Sequence, residues 1–194
     1  MIDDREARHI LMAVCEPGLV HIAESIGRYG APETLERLRA GNFHEVAAVA
    51  TRAIQELDEK ELESEWKQSG ARLLIPSDLT WPIALNELPV PPIALSLLGK
   101  AEITELTPSI AIVGSRTATS YGIRVAEDFA AALSDRGFSI VSGGAFGIDA
   151  AAHRGALAAR GITCAVLACG VGRSYPVAHS RLFAQIAESG LLIS

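Results

Sequence analysis

One pattern repeats from Ile110 to the last residue: a continuous apolar stretch, a turn that contains glycine, and a helix-forming segment. The apolar stretches read "IAIVG", "FSIVS", "TCAVLA" and "GLLIS". The segments between them predict helices over 120–136, over an alanine-rich stretch that ends at Gly161, and over 178–189. Continuous apolar strands that alternate with helices are typical of a parallel sheet with helices on both faces, connected by right-handed crossovers. We therefore predict an α/β fold with a mostly parallel, doubly wound sheet.

The predicted sheet is incomplete, because the fourth apolar stretch, residues 190–194, has no helix after it. An open hydrophobic edge is expected there, which is typical of a fragment of a larger domain. In the helix over 120–136, one face is apolar and the opposite face is charged, so the apolar face is expected to pack inward. The apolar face carries Tyr121, Val125, Phe129 and Leu133, and the charged face carries Arg124, Glu127, Asp128 and Asp135.

Residues 1–69 predict a small domain made of helices. Pro32 suits the first turn of a helix over "PETLERLRA", in which Leu35 and Leu38 face inward and Gly41 ends the helix. The turn "IGRYGAP" is similar to a helix-hairpin-helix, which presents backbone N–H groups to phosphate, but the domain's acidic composition favours a packing or protein-contact role. A further apolar face begins at His44 and continues through Val46, Ala50, Ala53, Ile54 and Leu57.

Residues 70–108 are predicted to form a bridge between the helical domain and the α/β domain over 109–194. Two apolar segments of the bridge, "ARLLIP" and "PIALSLLG", predict short strands, and a proline-rich segment separates them.

Charge is distributed unevenly along the chain, whose formal net charge is −6. Residues 1–69 hold eight Lys and Arg against 14 Asp and Glu, whereas residues 110–194 hold seven Arg against five acids. A site for an anionic partner is therefore expected in the α/β domain. No apolar stretch is long enough to cross a bilayer, and the polar, acidic N-terminus does not resemble a signal peptide, so we predict a cytoplasmic protein without a membrane partner.

The turns "GSRTATSYG", "SGGAFGID" and "CGVGRSYP" follow three of the predicted strands. All strands of a parallel sheet point their carboxyl ends to one side, so these turns are expected to converge on one rim. The rim offers glycines, helix N-termini, the guanidinium groups of Arg116 and Arg173, and several hydroxyl groups, each of which is suited to phosphate. The hydroxyl groups are those of Ser115, Thr117, Thr119, Ser120, Ser142 and Ser174.

Each turn also has a simpler explanation when taken alone, because Arg116 could pair with a nearby acid and the glycines could serve helix packing. The sequence contains no G-x-G-x-x-G and no P-loop, and no lysine follows Lys100, so no cofactor is predicted. Cys15, Cys164 and Cys169 lack metal-ligand spacing, so we expect reduced core thiols and no metal site.

Two acid–base candidates, Asp149 and His153, lie one helical turn apart. They could act as general acid and base, or they could cap and stabilise the helix; we favour the structural role because no nucleophile or second carboxylate accompanies them. No catalytic residue is therefore predicted. His179 is expected to be a solvated helix residue.

Together, "IAIVGSRTATSYG", "SGGAFGIDAAAHRGAL" and "CGVGRSYP" resemble, in their order and spacing, motifs of the DNA-processing protein A (DprA, also called Smf) family. The resemblance implies a helical first domain of the sterile-alpha-motif type and an extended Rossmann-like fold. It also implies that the protein binds single-stranded DNA and delivers it to the RecA recombinase in natural transformation, without enzymatic activity. In the family the sheet continues beyond Ser194 and carries the dimer surface, so this chain is expected to be C-terminally truncated and a homodimer is expected only of the full-length protein.

The resemblance assigns residues to the DNA site by matching motifs. Gly114, Ser115, Arg116 and Thr119 correspond to the first phosphate-binding turn; Ser142, Gly143, Gly144 and Gly147 to the second; Tyr175 and Pro176 to the third. Arg173 supplies a second cation, and Phe146 or Tyr175 could accept an unstacked base. The chain departs from the common second motif, SGLARGID, by having Gly144 and Phe146 in place of Leu and Arg, and Gly172 replaces an acid in the third.

Two alternatives come from other functional classes. Rossmann proteins of the lysine-decarboxylase-like group hydrolyse nucleoside monophosphates, but Ala151 stands where their catalytic glutamate would be. In the other alternative, the helical domain recruits a protein partner and the rim has no DNA affinity.

Overall fold

A computed structural model describes residues 2–43 and 47–194 of the chain. It divides into two compact units, Met1–Leu95 and Ser96–Ser194. The division falls inside the predicted bridge, and the three-part domain organisation remains a prediction.

The described residues of the first unit form five α-helices around an apolar core. Two of the helices begin at an aspartate that caps them: the carboxylate of Asp3 accepts from the Glu6 amide at 2.8 Å, and that of Asp58 accepts from the Lys60 amide at 2.9 Å. Leu11, Ile22, Leu35 and other apolar side chains fill the core. The elements are α1 (Asp4–Val14), α2 (Val20–Tyr29), α3 (Ala31–Arg39), α4 (Ala48–Glu56), α5 (Glu59–Ser69) and the short strand β1 (Arg72–Leu74).

The helix predicted after Gly30 is confirmed as α3, and Leu35 and Leu38 are fully buried, as expected. The next apolar face is confirmed at Ala50 and Ile54, which α4 buries. The two positions that begin that predicted face, His44 and Val46, lie outside the described residues.

The second unit confirms the α/β class and the repeated strand, turn and helix pattern. Five strands lie side by side in the order β2-β6-β5-β4-β3. The pairs β3–β4, β4–β5 and β5–β6 are parallel, and β2 runs antiparallel to β6. The elements are β2 (Leu95–Leu98), β3 (Ser109–Ala111), α6 (Ser120–Ser134), β4 (Ser139–Gly143), α7 (Ile148–Ala158), β5 (Thr163–Val166), α8 (Ser180–Ser189) and β6 (Leu191–Ile193).

The last strand, β6, is an interior strand, so the expected open hydrophobic edge at residues 190–194 is wrong. Leu97 of β2 pairs with Ile193, and Ser96 and Ser194 exchange two backbone hydrogen bonds of 2.7 and 3.0 Å. The strand predicted in "PIALSLLG" of the bridge is β2, and it is this antiparallel partner. The three side chains of β6 are all buried.

Helices α6 and α7 pack on one face of the sheet. Ile140 of β4 forms a fully buried cluster with Ala130 of α6 and with Ala152 and Ala156 of α7. Successive parallel strands are also neighbours in space, so right-handed crossovers place all three connecting helices on this face. Among the described residues of this unit, α6, α7 and α8 therefore cover one face of a mostly parallel sheet.

The orientation of α6 differs from the prediction at two aromatic residues. Tyr121 is 78% exposed and Phe129 is 62% exposed, whereas Ala126 and Ala130 are buried. The reason is the close approach of α6 to α7: a Cβ added at Gly155 would lie 2.8 Å from the Cα of Glu127. Such proximity requires small residues at the contact, and the large side chains turn outward.

Within residues 2–43 and 47–194, no helix has both the length and the apolar character needed to span a membrane. The three cysteines are unpaired thiols, and burial raises the pKa of Cys164 to about 12.

Candidate nucleic-acid interface

The first turn connects β3 to α6 and exposes Ser115, Arg116 and Thr119. Thr119 is the N-cap of α6, because its hydroxyl oxygen accepts from the Gly122 amide at 3.1 Å. The hydroxyl oxygen of Ser115 accepts from the Thr117 amide at 3.2 Å. These local bonds fix the backbone of the turn and leave the Arg116 side chain in solvent.

The second turn connects β4 to α7 and is joined directly to the first. The amide of Ile148 donates to the Ser115 carbonyl oxygen at 3.2 Å. Gly147 makes this approach feasible: its φ is 77°, and a Cβ there would overlap the Ser115 carbonyl oxygen and lie 2.8 Å from that of Arg116. The first and second turns therefore form one continuous surface.

The other glycines of the second turn are also required for packing. A Cβ at Gly144 would lie 2.7 Å from Leu167 and 3.0 Å from Phe183. A Cβ at Gly143 would lie 2.6 Å from the carboxylate of Asp149, which itself accepts from the Ala145 amide at 3.2 Å. Helix and strand packing explains these two glycines without any ligand.

The third turn connects β5 to α8 and exposes Arg173 and Tyr175, the latter to 71%. It is joined to the second turn by His179, whose Nδ1–H donates to the Gly144 carbonyl oxygen at 3.0 Å. The ring of His179 also meets the edge of Phe146 at a centroid distance of 4.6 Å. The expected solvated histidine is wrong, because His179 is buried. Its partner is a carbonyl of another loop, for which the sequence gives no signal.

His153 is fully buried under the second turn and has both ring nitrogens engaged. Nε2 donates to the Gly143 carbonyl oxygen at 2.9 Å, and Nδ1 lies 2.7 Å from the hydroxyl of Thr163. Burial lowers the pKa of His153 from its ordinary value of 6.5. Asp149 is likewise buried. Both side chains hold the turn in place and have no free face for an acid–base reaction, which supports their structural role.

Ser142 does not present its hydroxyl at the rim. Its side chain is buried, and the hydroxyl donates to the Ile112 carbonyl oxygen at 2.6 Å, which fastens β3 to β4. Ala151, at the position where a hydrolase of the lysine-decarboxylase-like group would have its glutamate, is fully buried in α7.

The side chains that remain exposed on the three connected turns are of two kinds. Arg116 and Arg173 are cations that make no ion pair with any described residue. Phe146, 48% exposed, and Tyr175 are aromatic. Guanidinium groups bind phosphate, and aromatic rings stack on unpaired bases. In the part of the chain that the structure describes, no group of His, Cys, Asp and Glu has the geometry of a metal site.

Comparison with known proteins gives one family. Residues 72–194 match the family model of DNA recombination-mediator protein A. A putative DNA processing protein DprA from Mycobacterium tuberculosis is 39% identical over 197 residues, which cover 95% of this chain and 51% of that protein. The chain thus spans about half the length of this relative. The family description names a recombination mediator and not an enzyme, in agreement with the non-enzymatic prediction.

Solved structures give the same result for the fold. The crystal structure of DprA from Streptococcus pneumoniae matches all of this chain and 67% of its own chain, with a TM-score of 0.75 and 27% identity. A Helicobacter pylori DprA, studied for its mode of single-stranded DNA binding, matches 64% of this chain and 55% of its own, with a TM-score of 0.55 and 29% identity.

Proposed function

The chain belongs to the DNA recombination-mediator protein A family, and on that premise we propose that it binds single-stranded DNA on the rim formed by the turns after β3, β4 and β5. The observation that carries the proposal is the physical connection of the three turns. The bond from Ile148 to Ser115 and the bond from His179 to Gly144 hold them together. Two arginines that have no ion pair within residues 2–43 and 47–194, and two aromatic rings, project from them.

In this proposal the rim binds mainly the phosphate backbone of the DNA strand. Arg116 and Arg173 contact phosphates, and the hydroxyl groups of Ser115 and Thr119 add hydrogen bonds. Gly114, Gly143, Gly144 and Gly147 serve by letting the turns pack closely, and Ser142 serves by fastening β3 to β4. Counterion release from each phosphate contact makes the affinity fall with salt.

Phe146 and Tyr175 give the preference for a single strand. Their exposed rings can stack on bases that are unpaired, whereas the bases of a duplex are already stacked on their neighbours. Phe146 stands where the family's common motif has arginine, so this chain exchanges one electrostatic contact for one stacking contact.

The broader role is also proposed from the family. We infer that the full-length protein acts in the cytoplasm, protects incoming DNA during natural transformation, and loads the RecA recombinase, and that it does so as a homodimer. The H. pylori relative, whose structure was studied for its single-stranded DNA binding mode, supports the DNA-binding part of this role.

The test is fluorescence anisotropy of a labelled oligonucleotide, single-stranded or in a duplex, over a salt series with the present chain. We expect tighter binding of the single strand, an affinity that falls with salt, and a salt slope that becomes shallower by about one in Arg116→Ala. Arg136→Ala is the matched control, since Arg136 lies at the end of α6 and donates to the Ala132 carbonyl. Equal losses in both variants, or no preference for the single strand, would contradict the proposal.

A further inference from the structure

Three aromatic rings form a continuous series of contacts from the interior of the second unit to the rim. The innermost ring is Phe183 of α8, which is buried and lies 6.0 Å from the ring of His179, centroid to centroid, at an interplanar angle of 85°. The ring of His179 is also buried and lies 4.6 Å from that of Phe146 at 62°. Both pairs have the distances and angles of edge-to-face contacts. Phe146 is therefore the exposed end of a series whose other two members are buried.

Backbone contacts fix the middle ring of this series. The Nδ1–H of His179 donates to the Gly144 carbonyl oxygen at 3.0 Å, and its amide donates to the Pro176 carbonyl oxygen at 2.9 Å. Gly144 also leaves space for the inner ring, because a Cβ there would lie 3.0 Å from Phe183. The position of the His179 ring is thus set by the second turn, by its own turn and by α8.

Phe146 differs in this respect from the other exposed aromatic rings of the second unit. Tyr121, Phe129 and Tyr175 are all more exposed than Phe146, and none of them contacts another ring within the described residues. An unsupported side chain samples several rotamers and loses that freedom when a ligand fixes it. A ring that is already held loses less. Among these four rings, Phe146 is therefore the one best prepared to stack on a base.

We propose that His179 is a positioning residue of the rim: its ring holds Phe146 in the orientation that stacks on an unpaired base. This proposal rests on the DNA binding proposed above, and it assigns part of the preference for a single strand to a residue that does not touch DNA. The two contributions of His179 are separable, since its N–H joins the third turn to the second and its ring supports Phe146. His179→Asn retains an N–H donor for the Gly144 carbonyl and removes the ring.

The first measurement contains no DNA. Relaxation NMR of the full chain with ¹³C-labelled phenylalanine gives the order parameter of the Phe146 side chain. We expect His179→Asn to lower it from the rigid range near about 0.85 towards the flexible range below about 0.6. Phe183→Leu, which removes the inner ring and keeps an apolar side chain, should lower it less. His21→Asn makes the same exchange at an exposed position of α2 and should leave it unchanged.

The second measurement isolates the contribution of the bases to binding. Fluorescence anisotropy gives the Kd of a thymine oligonucleotide and of an abasic strand of the same length, which have the same phosphates. We expect the wild-type chain to bind the thymine strand about fivefold more tightly or better, because one base stacks on Phe146. His179→Asn should reduce this ratio at least about twofold and leave the salt slope unchanged, since the phosphate contacts remain.

The two measurements separate this proposal from the DNA-binding proposal. An unchanged order of Phe146 in His179→Asn would overturn the role of His179 whether or not the chain binds DNA. If circular dichroism shows that this variant does not fold, the same outcome in Phe183→Leu overturns it. Lower order of Phe146 with an unchanged Kd ratio would also overturn it, because the support would then not serve the base. A wild-type chain that binds neither strand would contradict the proposed function itself, and the order of Phe146 would still show whether His179 holds the ring.

Discussion

The two units of the chain differ in whether the arginines named here form ion pairs. In the helical unit, Arg5, Arg8, Arg37 and Arg39 each form an ion pair with a carboxylate. On the rim of the second unit, the side chains of Arg116 and Arg173 have no ion pair with any described residue. A net charge of −6 therefore does not exclude a polyanionic partner, since the rim carries two arginines that no described carboxylate neutralises.

The units also differ in how their turns are held. Ion pairs at the surface of the helical unit contribute little stability, and its order comes from the apolar core. The rim is held by buried polar contacts of His153, His179 and Ser142 with loop and strand carbonyls. A surface fixed from below is preorganised for a ligand, and its exposed side chains are free to bind it.

The largest expected effect is a loss of folding stability when the contact between the first two turns is disrupted. Gly147→Ala places a Cβ against two carbonyl oxygens at a positive φ, so we expect a loss of about 3 kcal/mol of stability. Gly137→Ala also has a positive φ but no atom within 4 Å, so it should cost only about 1 kcal/mol. Urea unfolding followed by circular dichroism measures both, and equal losses would show that the turns do not need this contact.

The aromatic contribution of the rim is tested at Phe146. We expect Phe146→Ala to weaken single-strand binding by about 1–3 kcal/mol, because one stacking surface is removed. Phe129→Ala, which removes an exposed ring on α6, should leave the affinity unchanged. Titration by anisotropy distinguishes the two, and a similar loss in both would indicate nonspecific apolar contact.

A complementary substitution at the same position exchanges stacking for charge. Phe146→Arg restores the residue of the common family motif and should steepen the salt dependence by about one phosphate contact. An unchanged salt slope would mean that this position does not face the DNA backbone.

Substitutions of two serines distinguish a residue that holds the turns in place from a residue that contacts DNA. Ser142→Ala should cost about 1 kcal/mol of stability and leave DNA affinity unchanged, because its hydroxyl bonds to Ile112 in the interior. Ser115→Ala should do the reverse, with stability retained and affinity lowered. Denaturation and anisotropy on the same samples check both, and a loss of affinity in Ser142→Ala alone would invert the assignment.

The smallest expected effect is the pH dependence due to His153. Burial lowers its pKa in the folded chain, whereas the unfolded chain has the ordinary value near 6.5. Below pH 6.5 the unfolded chain binds a proton that the folded chain does not, so stability falls with decreasing pH by at most about 1.4 kcal/mol per unit.

This effect is measured by urea unfolding at pH 7.5 and pH 5.5 in a His9→Gln background, since burial also lowers the pKa of His9. Imidazole NMR of His153 should give a pKa below the ordinary value of 6.5. Protonation of His153 at or above pH 6.5 in the folded chain would contradict the buried neutral ring.

Much of the fold follows from the sequence, because continuous apolar stretches and the glycines at the turns between them are local signals. The helix predicted over 120–136 is found at Ser120–Ser134, and the strand predicted in "TCAVLA" at Thr163–Val166. The inward face of α6 was wrong at Tyr121 and Phe129, because in an alanine-rich helix pair the close contact selects the small residues.

The convergence of the three turns was predictable from the sequence, whereas the bonds within them were not, and DNA binding by these turns stays a prediction. Arg116 and Arg173 are exposed on the rim where the turn pattern placed them. The roles of Ser142 and His179 depend on carbonyl groups about 30 residues away in sequence or more, Ile112 and Gly144, and no local pattern encodes such partners.

The most direct test of the central claim is an NMR titration of the ¹⁵N-labelled chain with a short single-stranded oligonucleotide at low salt. We predict shifts confined to residues 114–119, 143–147 and 172–175, with Arg116 and Phe146 among the largest, and none in the helical unit. Shifts centred on α2 and α3, with the three turns unaffected, would contradict the assignment of DNA binding to the rim.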